Sequence, residues 1–391
     1  MIVKLSYLTG RGGNGHYHLG LLSGLIHKPI KIDVIGSNVI MNSNILKNVN
    51  VNFLNYLGDR SPNVPIWEKT FRILMYYYYL IKYTIKTDSK IYHIQWMNKF
   101  IYFDRTILIL FYKLFGKKII LTAHNIDEKE RDGKNNIFNK ISLKFLYNNV
   151  NGLIVHTEKM KSQLIANFNV QESKITVIPH GIMDVVPTTT INNIEARNVL
   201  GLNMNEKVIL FFGNIAPYKG LDDLINALII LNRSNYTVKL IIAGKVKDCK
   251  TYWDNIDETI RKNDLRNNLL LKIKHIPDEE IELYFKSADA LVLPYKYIFQ
   301  SGVIFLSYYF GLPVIATDVG SLKEEIDNGI NGYLCKPKNP KDIANTIEIY
   351  FESDLYTNLE KNRMKIKQYA DEKYSWEKIG DMTYGLYKRL E

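Results

Sequence analysis

The chain has 391 residues, with 51 Lys+Arg against 40 Asp+Glu and two cysteines, Cys249 and Cys335. That length holds two or three domains with proper cores. A content of 46% hydrophobic and 23% charged residues is that of a soluble globular protein and excludes a disordered chain, a collagen-like repeat and a disulfide scaffold. Two cysteines cannot by themselves supply a Cys-based zinc or iron–sulfur site.

The start, MIVKLSYLTGRGG, is unlike a secretory signal, because its apolar run is short and gives way to glycines. No stretch reaches the ~18–20 apolar residues that span a bilayer. Leu74 to Ile81 is closed by Lys82, and Ile107 to Phe115 is broken by Lys113. A cytoplasmic location is therefore expected. The charge is uneven: residues 1–188 hold 24 Lys+Arg and 12 Asp+Glu, whereas residues 189–391 hold 27 and 28. The basic half also carries the aromatic stretches from Phe71 to Lys86 and from Phe100 to Lys118. A basic, aromatic surface suits the headgroup level of an anionic membrane. Lysines 82, 86, 113, 117 and 118 are the expected contacts on the inner face of the plasma membrane. The plainer reading makes Tyr76 to Tyr79 one core-facing turn of helix. Only 11 of the 51 basic residues are Arg, which argues against nucleic acid as the partner.

In chain order, apolar strands alternate with helical patterns. Val3 to Leu8 predicts a buried strand, followed by glycines and a helix from about Gly15 to His27. Further strands are predicted at Lys31 to Ile35, Val49 to Leu54, Ile91 to Gln95, Lys118 to Ala123, Gly152 to His156 and Lys174 to Ile178. The rhythm breaks at about 181–205. A second series then follows, with strands at Lys207 to Phe212, Val238 to Ala243, Leu269 to Ile273, Ala290 to Leu293 and Pro313 to Ala316, and a helical tail. Short strands separated by helices mean βαβ units and parallel sheets. The expected fold class is α/β, two doubly wound Rossmann-like domains facing across a cleft. The expected bounds are 1–185, 186–374 and a C-terminal helix, 375–391, packing back on the first domain. Ligands of such sheets bind beyond the carboxyl ends of the strands.

Three loops carry the chemistry. Gly10-Arg-Gly12-Gly13-Asn-Gly15 matches G-x-G-x-x-G. A dinucleotide site also wants a carboxylate closing the second strand, and here that strand ends Val34-Ile35-Gly36-Ser37 with Asp33 inside it. A nicotinamide-dependent oxidoreductase is thus the remote alternative. What the glycines do offer is backbone amides at a helix start. Gly213-Asn214 leads to Lys219, a cation just before a helix. Leu293-Pro-Tyr-Lys-Tyr-Ile-Phe-Gln300-Ser301-Gly302-Val303 runs from a strand into a helix start that presents amides and a hydroxyl to a diphosphate. Among the histidines, His124 ends a strand. His16 and His18 lack a carboxylate neighbour and do not read as metal ligands. Asp127, Glu128 and Glu130, which follow His124, are candidates to hold ligand hydroxyls or to act in proton transfer, against the plainer reading of a solvated acidic run.

With these motifs the chain resembles a glycosyltransferase of the GT-B fold, family four, the retaining group. The likeness is most specific in FFGNIAPYKGLDDLINAL, in IPDEEIELYFKSADALVLPY and in QSGVIFLSYYFGLPVIATDVGSLKEEI. It implies hexosyl transfer from a nucleotide sugar, UDP- or GDP-linked, to a glycan or polyprenyl-linked acceptor, as in building capsule or exopolysaccharide. It implies no cofactor and no metal. The donor would be bound by Gly13, Gly213, Asn214, Lys219, Ile276, Gln300, Ser301, Gly302 and Val303. Gly12, His16 and Asp127 would lie on the acceptor side, and His124 and Lys219 would be catalytic. Two family glutamates are replaced by Ile298 and Leu306, and a family arginine by Asn214. A nucleotide-sugar-binding subunit with impaired turnover is therefore the nearer alternative.

Overall fold

The computed structural model describes residues 2–11, 15–59, 65–126, 137–182, 184, 186–247, 249–298 and 301–391. The chain folds as two compact units, Met1–Gly181 with Tyr374–Glu391, and Ile182–Lys373. The first unit holds a seven-stranded sheet in the order β3-β2-β1-β4-β5-β6-β7. Its strands are β1 (Val3–Leu8), β2 (Ile30–Ser37), β3 (Val51–Gly58), β4 (Ile91–Ile94), β5 (Lys118–Thr122), β6 (Gly152–Val155) and β7 (Ile175–Val177), and every pairing is parallel. The second unit holds a six-stranded parallel sheet in the order β10-β9-β8-β11-β12-β13. Its strands are β8 (Val208–Phe212), β9 (Lys239–Ala243), β10 (Leu269–Lys272), β11 (Ala290–Leu293), β12 (Val314–Thr317) and β13 (Gly332–Cys335). Parallel sheets are covered on both faces, so their strands read as unbroken apolar runs. Val208–Phe212 is buried throughout, which is why the pattern was legible. The sequence reading lacked β13, whose middle residues are half-exposed and which leaves no apolar run.

The helices of the first unit include α1 (Gly15–Leu25), α2 (Ile66–Lys86), α3 (Ile109–Leu114), α4 (Ile137–Asn149) and α5 (Glu158–Phe168). A π-helical turn, Asp104–Leu108, leads directly into α3. Those of the second unit include α6 (Asn193–Leu200), α7 (Leu221–Arg233), α8 (Lys250–Lys262), α9 (Asp278–Ser287), α10 (Gly302–Tyr309) and α11 (Pro340–Glu352). The chain closes with α12 (Leu359–Tyr374) and α13 (Trp376–Leu390). α13 packs on α1, and the approach is close because Gly20 and Gly24 lack side chains. A Cβ on Gly20 would fall 1.9 Å from the Trp376 ring, and one on Gly24 would fall 1.9 Å from the Trp376 carbonyl oxygen.

The tyrosine run divides. Tyr76 and Tyr77 are buried, whereas Tyr78 and Tyr79 are exposed. Four successive residues at 3.6 per turn sweep most of a circle and cannot all face one core. In the second unit Arg197 and Asp289 form a buried ion pair at 2.8 Å. The other guanidinium hydrogens go to the carbonyls of Ser287, Asn203, Met204 and Glu206, and the second Asp289 oxygen accepts from the Val208 amide. The pair therefore anchors α6 to the start of β8.

Candidate functional site

Each sheet reverses its strand order once, at β1/β4 in the first unit and at β8/β11 in the second. Residues with chemistry gather past the carboxyl ends of those strands, as expected for doubly wound sheets.

In the second unit β8 is followed by Gly213, whose φ of +104° is costly for any residue with a Cβ. The turn leads through a single helical turn, Pro217–Lys219, into α7. It brings the Lys219 Nζ within 3.0 Å of where a Gly213 Cβ would stand, with a Val303 methyl at 3.9 Å from the same point. Gly213, Lys219 and Val303 thus meet although 90 positions separate the first from the last. The Lys219 ammonium lies 5.3 Å from the centre of the Tyr295 ring, and the Tyr295 hydroxyl is 3.1 Å from Ser301 Oγ. Ser301 precedes α10, which has no acidic residue in its first turn. The first amides of any helix have no partner inside it, and here Gly302 and Val303 supply them. Lys219 is 7% exposed and no ion pair to it occurs among the described residues; burial lowers its pKa. The result is a buried cation beside a helix N-terminus, with glycine opening the space between them. Such a place favours an anion.

Asn214 is exposed on the loop after Gly213. The Ile276 side chain is buried between β10 and α9, so a role in binding would fall to its backbone. Leu306 is buried inside α10 and Ile298 is half-buried; neither carries charge. Gly12, Gly13, Asp127 and Gln300 lie outside the described residues.

In the first unit four histidines close or follow the parallel strands: His93 in β4, His124 after β5, His156 after β6 and His180 after β7. Three of them join in a chain. The His156 Nδ1 lies 3.0 Å from the Ile178 carbonyl oxygen. A carbonyl only accepts, so Nδ1 carries the proton and the neutral ring presents Nε2 as an acceptor. His124 Nδ1, 3.2 Å from that Nε2, then donates. Burial, first, and the neighbouring imidazoles, second, hold His124 well below its ordinary pKa. It is therefore neutral, and its Nε2 is a lone pair. That nitrogen faces the Gln95 side-chain amide at 3.2 Å, so the NH2 of Gln95 belongs on His124 and its oxygen on His93 Nε2, the amide ends being assigned by their partners. His93 Nδ1 accepts from the Tyr387 hydroxyl at 2.6 Å.

Both nitrogens of His124 are thus engaged within the protein. Its ring stacks on Trp96, with centroids 4.4 Å apart and planes 5° apart, and meets the Tyr17 ring edge-on at 4.7 Å. A sugar contact through either nitrogen would have to replace one of these bonds. His124 and Trp96 line a cavity of about 500 Å³ with Arg11, Arg105, Asn125 and Tyr147, and no carboxylate occurs among its described lining residues. Arg105 is held by Asn139 and Ser142. His16 lies half-buried on the first turn of α1, and His18 pairs with the Tyr7 hydroxyl at 3.1 Å.

The sequence reading missed Gln95, Trp96, His156, Arg11 and Arg105. A signal for His156 was present, since strand after strand in this half ends on a histidine. Asp33, the one acid near a dinucleotide position, accepts from Asn52 of β3 at 2.8 Å and from Tyr83 of α2 at 2.6 Å and is committed to these neighbouring elements.

The family model described as Glycosyl transferases group 1 matches residues 192–373. That of Glycosyltransferase Family 4 matches residues 39–184. The chain belongs to glycosyltransferase family 4 and has the GT-B fold. It is 30% identical over 240 residues to the uncharacterized glycosyltransferase MJ1607 of Methanocaldococcus jannaschii, a match covering 60% of this chain and 59% of that protein. It is 26% identical over 245 residues to the capsular polysaccharide biosynthesis glycosyltransferase CapM of Staphylococcus aureus, over 61% of this chain and 63% of CapM. Less than two thirds of either relative is therefore spanned. Among solved structures, Anabaena Alr3699/HepE in complex with UDP and glucose superposes with a TM-score of 0.74 at 16% identity, covering 99% of this chain and 100% of that one.

Proposed function

We propose that the protein transfers a hexosyl group from a nucleoside-diphosphate sugar to a glycan or lipid-linked acceptor, in the synthesis of a bacterial surface polysaccharide. The observation that carries this reading is Lys219, a buried ammonium with no carboxylate facing it among the described residues, gathered around the Gly213 turn with Val303 at the start of α10. Negative charge builds on the leaving diphosphate as the glycosidic bond breaks. A fixed cation and helix amides meet that charge without reorganising, which is electrostatic stabilisation of the transition state. This arrangement asks for no metal. The UDP and glucose held by HepE and the capsular role in the name of CapM support a UDP-sugar and a surface glycan. Retention at the anomeric carbon follows from the family likeness alone. The cavity of the first unit would receive the acceptor, with His124 as part of its wall.

The test pairs binding with turnover. Calorimetry with UDP and with GDP, and release of free nucleoside diphosphate from a panel of nucleotide sugars, are measured on the wild type and on Lys219→Ala. Both affinity and release are expected to fall at least tenfold; unaltered values would remove the assignment. The second reading, a binding subunit without turnover, draws on the uncharged Ile298 and Leu306. It predicts nucleotide binding with no release against any acceptor.

A further inference from the structure

The first unit carries an apolar surface that its own fold does not cover. Of the 30 large hydrophobic side chains exposed among the described residues, 18 lie between Ile66 and Ile141. On α2 the exposed residues Trp67, Phe71, Leu74, Tyr78, Ile81 and Ile85 are spaced alternately by four and three. At 3.6 residues per turn that spacing lays them in one stripe. The core-facing residues of the same helix, Tyr76, Tyr77, Leu80 and Thr84, occupy a different side. A helix normally needs only one apolar face, and α2 has two.

Topology extends the surface. α2 leads from β3 to β4, the π-turn and α3 from β4 to β5, and α4 from β5 to β6. All three connections step in the same direction across the sheet, so right-handed crossovers put them on one face; α1, stepping the other way from β1 to β2, lies on the opposite face with α13. The three are stitched together. Tyr77 of α2 donates to Asp104 at 2.8 Å and stacks on Phe100, while Arg105 reaches Asn139 of α4. Ile107, Leu110 and Leu114 continue the exposed apolar surface on this segment, Leu114 being 81% exposed.

Charge decides what covers it. Residues 65–126 hold ten Lys+Arg and three Asp+Glu. Of the acids, Glu68 pairs with Arg72, Asp88 with Lys4, and Asp104 is buried. A second copy docked symmetrically would set this basic patch against itself. An anionic bilayer supplies the opposite charge and takes up apolar side chains at the same depth.

We infer that the α2 stripe, with the exposed side chains of α3 and the π-turn before it, docks this chain on an anionic lipid bilayer. The inference deepens the lipid-linked side of the proposed function. Ile101, 39% exposed, also lines the cavity beside Trp96 and Arg105, so the cavity borders the docking face and an acceptor can be met without leaving the membrane. The docking lysines are 82, 86 and 113. Lys117, expected among them from sequence, is buried and donates to the carbonyls of Thr87 and Ser89.

The experiment is vesicle cosedimentation of the full chain without donor or acceptor, so that it stands or falls apart from turnover. Vesicles are phosphatidylcholine alone or with about a third phosphatidylglycerol, the anionic fraction being set so that charge attraction is several-fold above background. The wild type is expected to bind the anionic vesicles at least tenfold more strongly, less so in high salt. Trp67→Ser/Leu74→Ser/Leu110→Ser and Lys82→Ser/Lys86→Ser/Lys113→Ser should each lower that binding at least tenfold. Ile194→Ser/Val199→Ser, exposed apolar residues of α6 in the other unit, should leave it unchanged. In the wild type, lipids brominated along their chains should quench a fluorescence component that Trp67→Phe removes; this reading requires no apolar-to-polar variant to fold. Equal binding to neutral vesicles, unimpaired binding by both triple variants, no quenching of Trp67, or a dimer in light scattering that the apolar variant abolishes would each overturn the inference.

Discussion

The two units present opposite chemistry at equivalent places in their sheets. Past β8 and β11 a single buried cation, a glycine turn and a helix start face a common point. Past β4, β5 and β6 neutral imidazoles, a side-chain amide and hydroxyls are bonded to one another. The first arrangement has charge to spare, which favours an anion. The second has spent its hydrogen-bonding capacity on itself, so its contribution is a rigid, shaped wall. One topology therefore yields two kinds of surface, according to whether the residues after the strands are small or ring-bearing.

Acid separates the units most strongly. An unfolded imidazole titrates near 6.5, whereas burial holds His93 and His156 at about 3 and His180 at about 4 in the folded protein. Between pH 6.5 and about 3 the unfolded chain binds protons that the folded chain refuses. Stability is thus fully present above 6.5 and is lost as pH falls through that window, by on the order of 1.4 kcal/mol per pH unit for each histidine. Asp104 works the other way. Burial pushes its carboxyl up to about 6, so the folded state takes its proton first and offsets about one histidine. The second unit has only His275. From pH 7.5 to pH 5, hydrogen-exchange protection factors, which allow for the slower intrinsic exchange in acid, are expected to fall at least tenfold in β4–β6 and to change much less in β8–β11. An equal fall in both would break the contrast.

Much of this architecture was legible in sequence because parallel strands, buried on both faces, leave apolar runs. The grouping in the second unit was legible too, because a glycine turn and a helix start sit at fixed offsets after a strand: Gly213, Lys219, Ser301, Gly302 and Val303 come together in one neighbourhood. The histidine network was not legible. His93, Gln95, His124, His156 and Tyr387 are up to 294 positions apart, and nothing local marks a residue whose partner is supplied by another strand or by the last helix. His124 stands out at its strand end, but as a catalytic candidate. That its nitrogens are taken depends on His156 and Gln95, which only the register of β4, β5 and β6 brings to it.

The wall itself can be loosened at Gln95. Gln95→Leu leaves the His124 Nε2 buried without a donor, at a cost of about 1–3 kcal/mol, and frees the ring to turn. Release of nucleoside diphosphate is expected to fall roughly tenfold through loss of the fixed wall, while UDP affinity, assigned to the other unit, stays the same. Gln95→Glu offers only acceptors to a ring nitrogen, which favours the imidazolium and raises the pKa of His124. Nitrogen-detected NMR should then show His124 titrating at higher pH than in the wild type. A fall in UDP affinity equal to the fall in release would show that the two surfaces do not divide the work as described.

The smallest expected effect strengthens the cationic surface instead. Asn214 follows the Gly213 turn, is exposed, and stands where the family likeness sets an arginine. Asn214→Arg adds a second positive group beside Lys219, solvated where Lys219 is buried. A solvated charge contributes less than a desolvated one, on the order of 1 kcal/mol, because water and salt screen it. UDP is then expected to bind roughly fivefold tighter in low salt, with most of the gain lost at high salt, whereas the contribution of Lys219 persists. Asn214→Glu should weaken binding by a similar factor. If neither substitution moves the affinity, the anion lies on the α10 side of Lys219 rather than on the Gly213 loop, and the load falls on the Gly302 and Val303 amides.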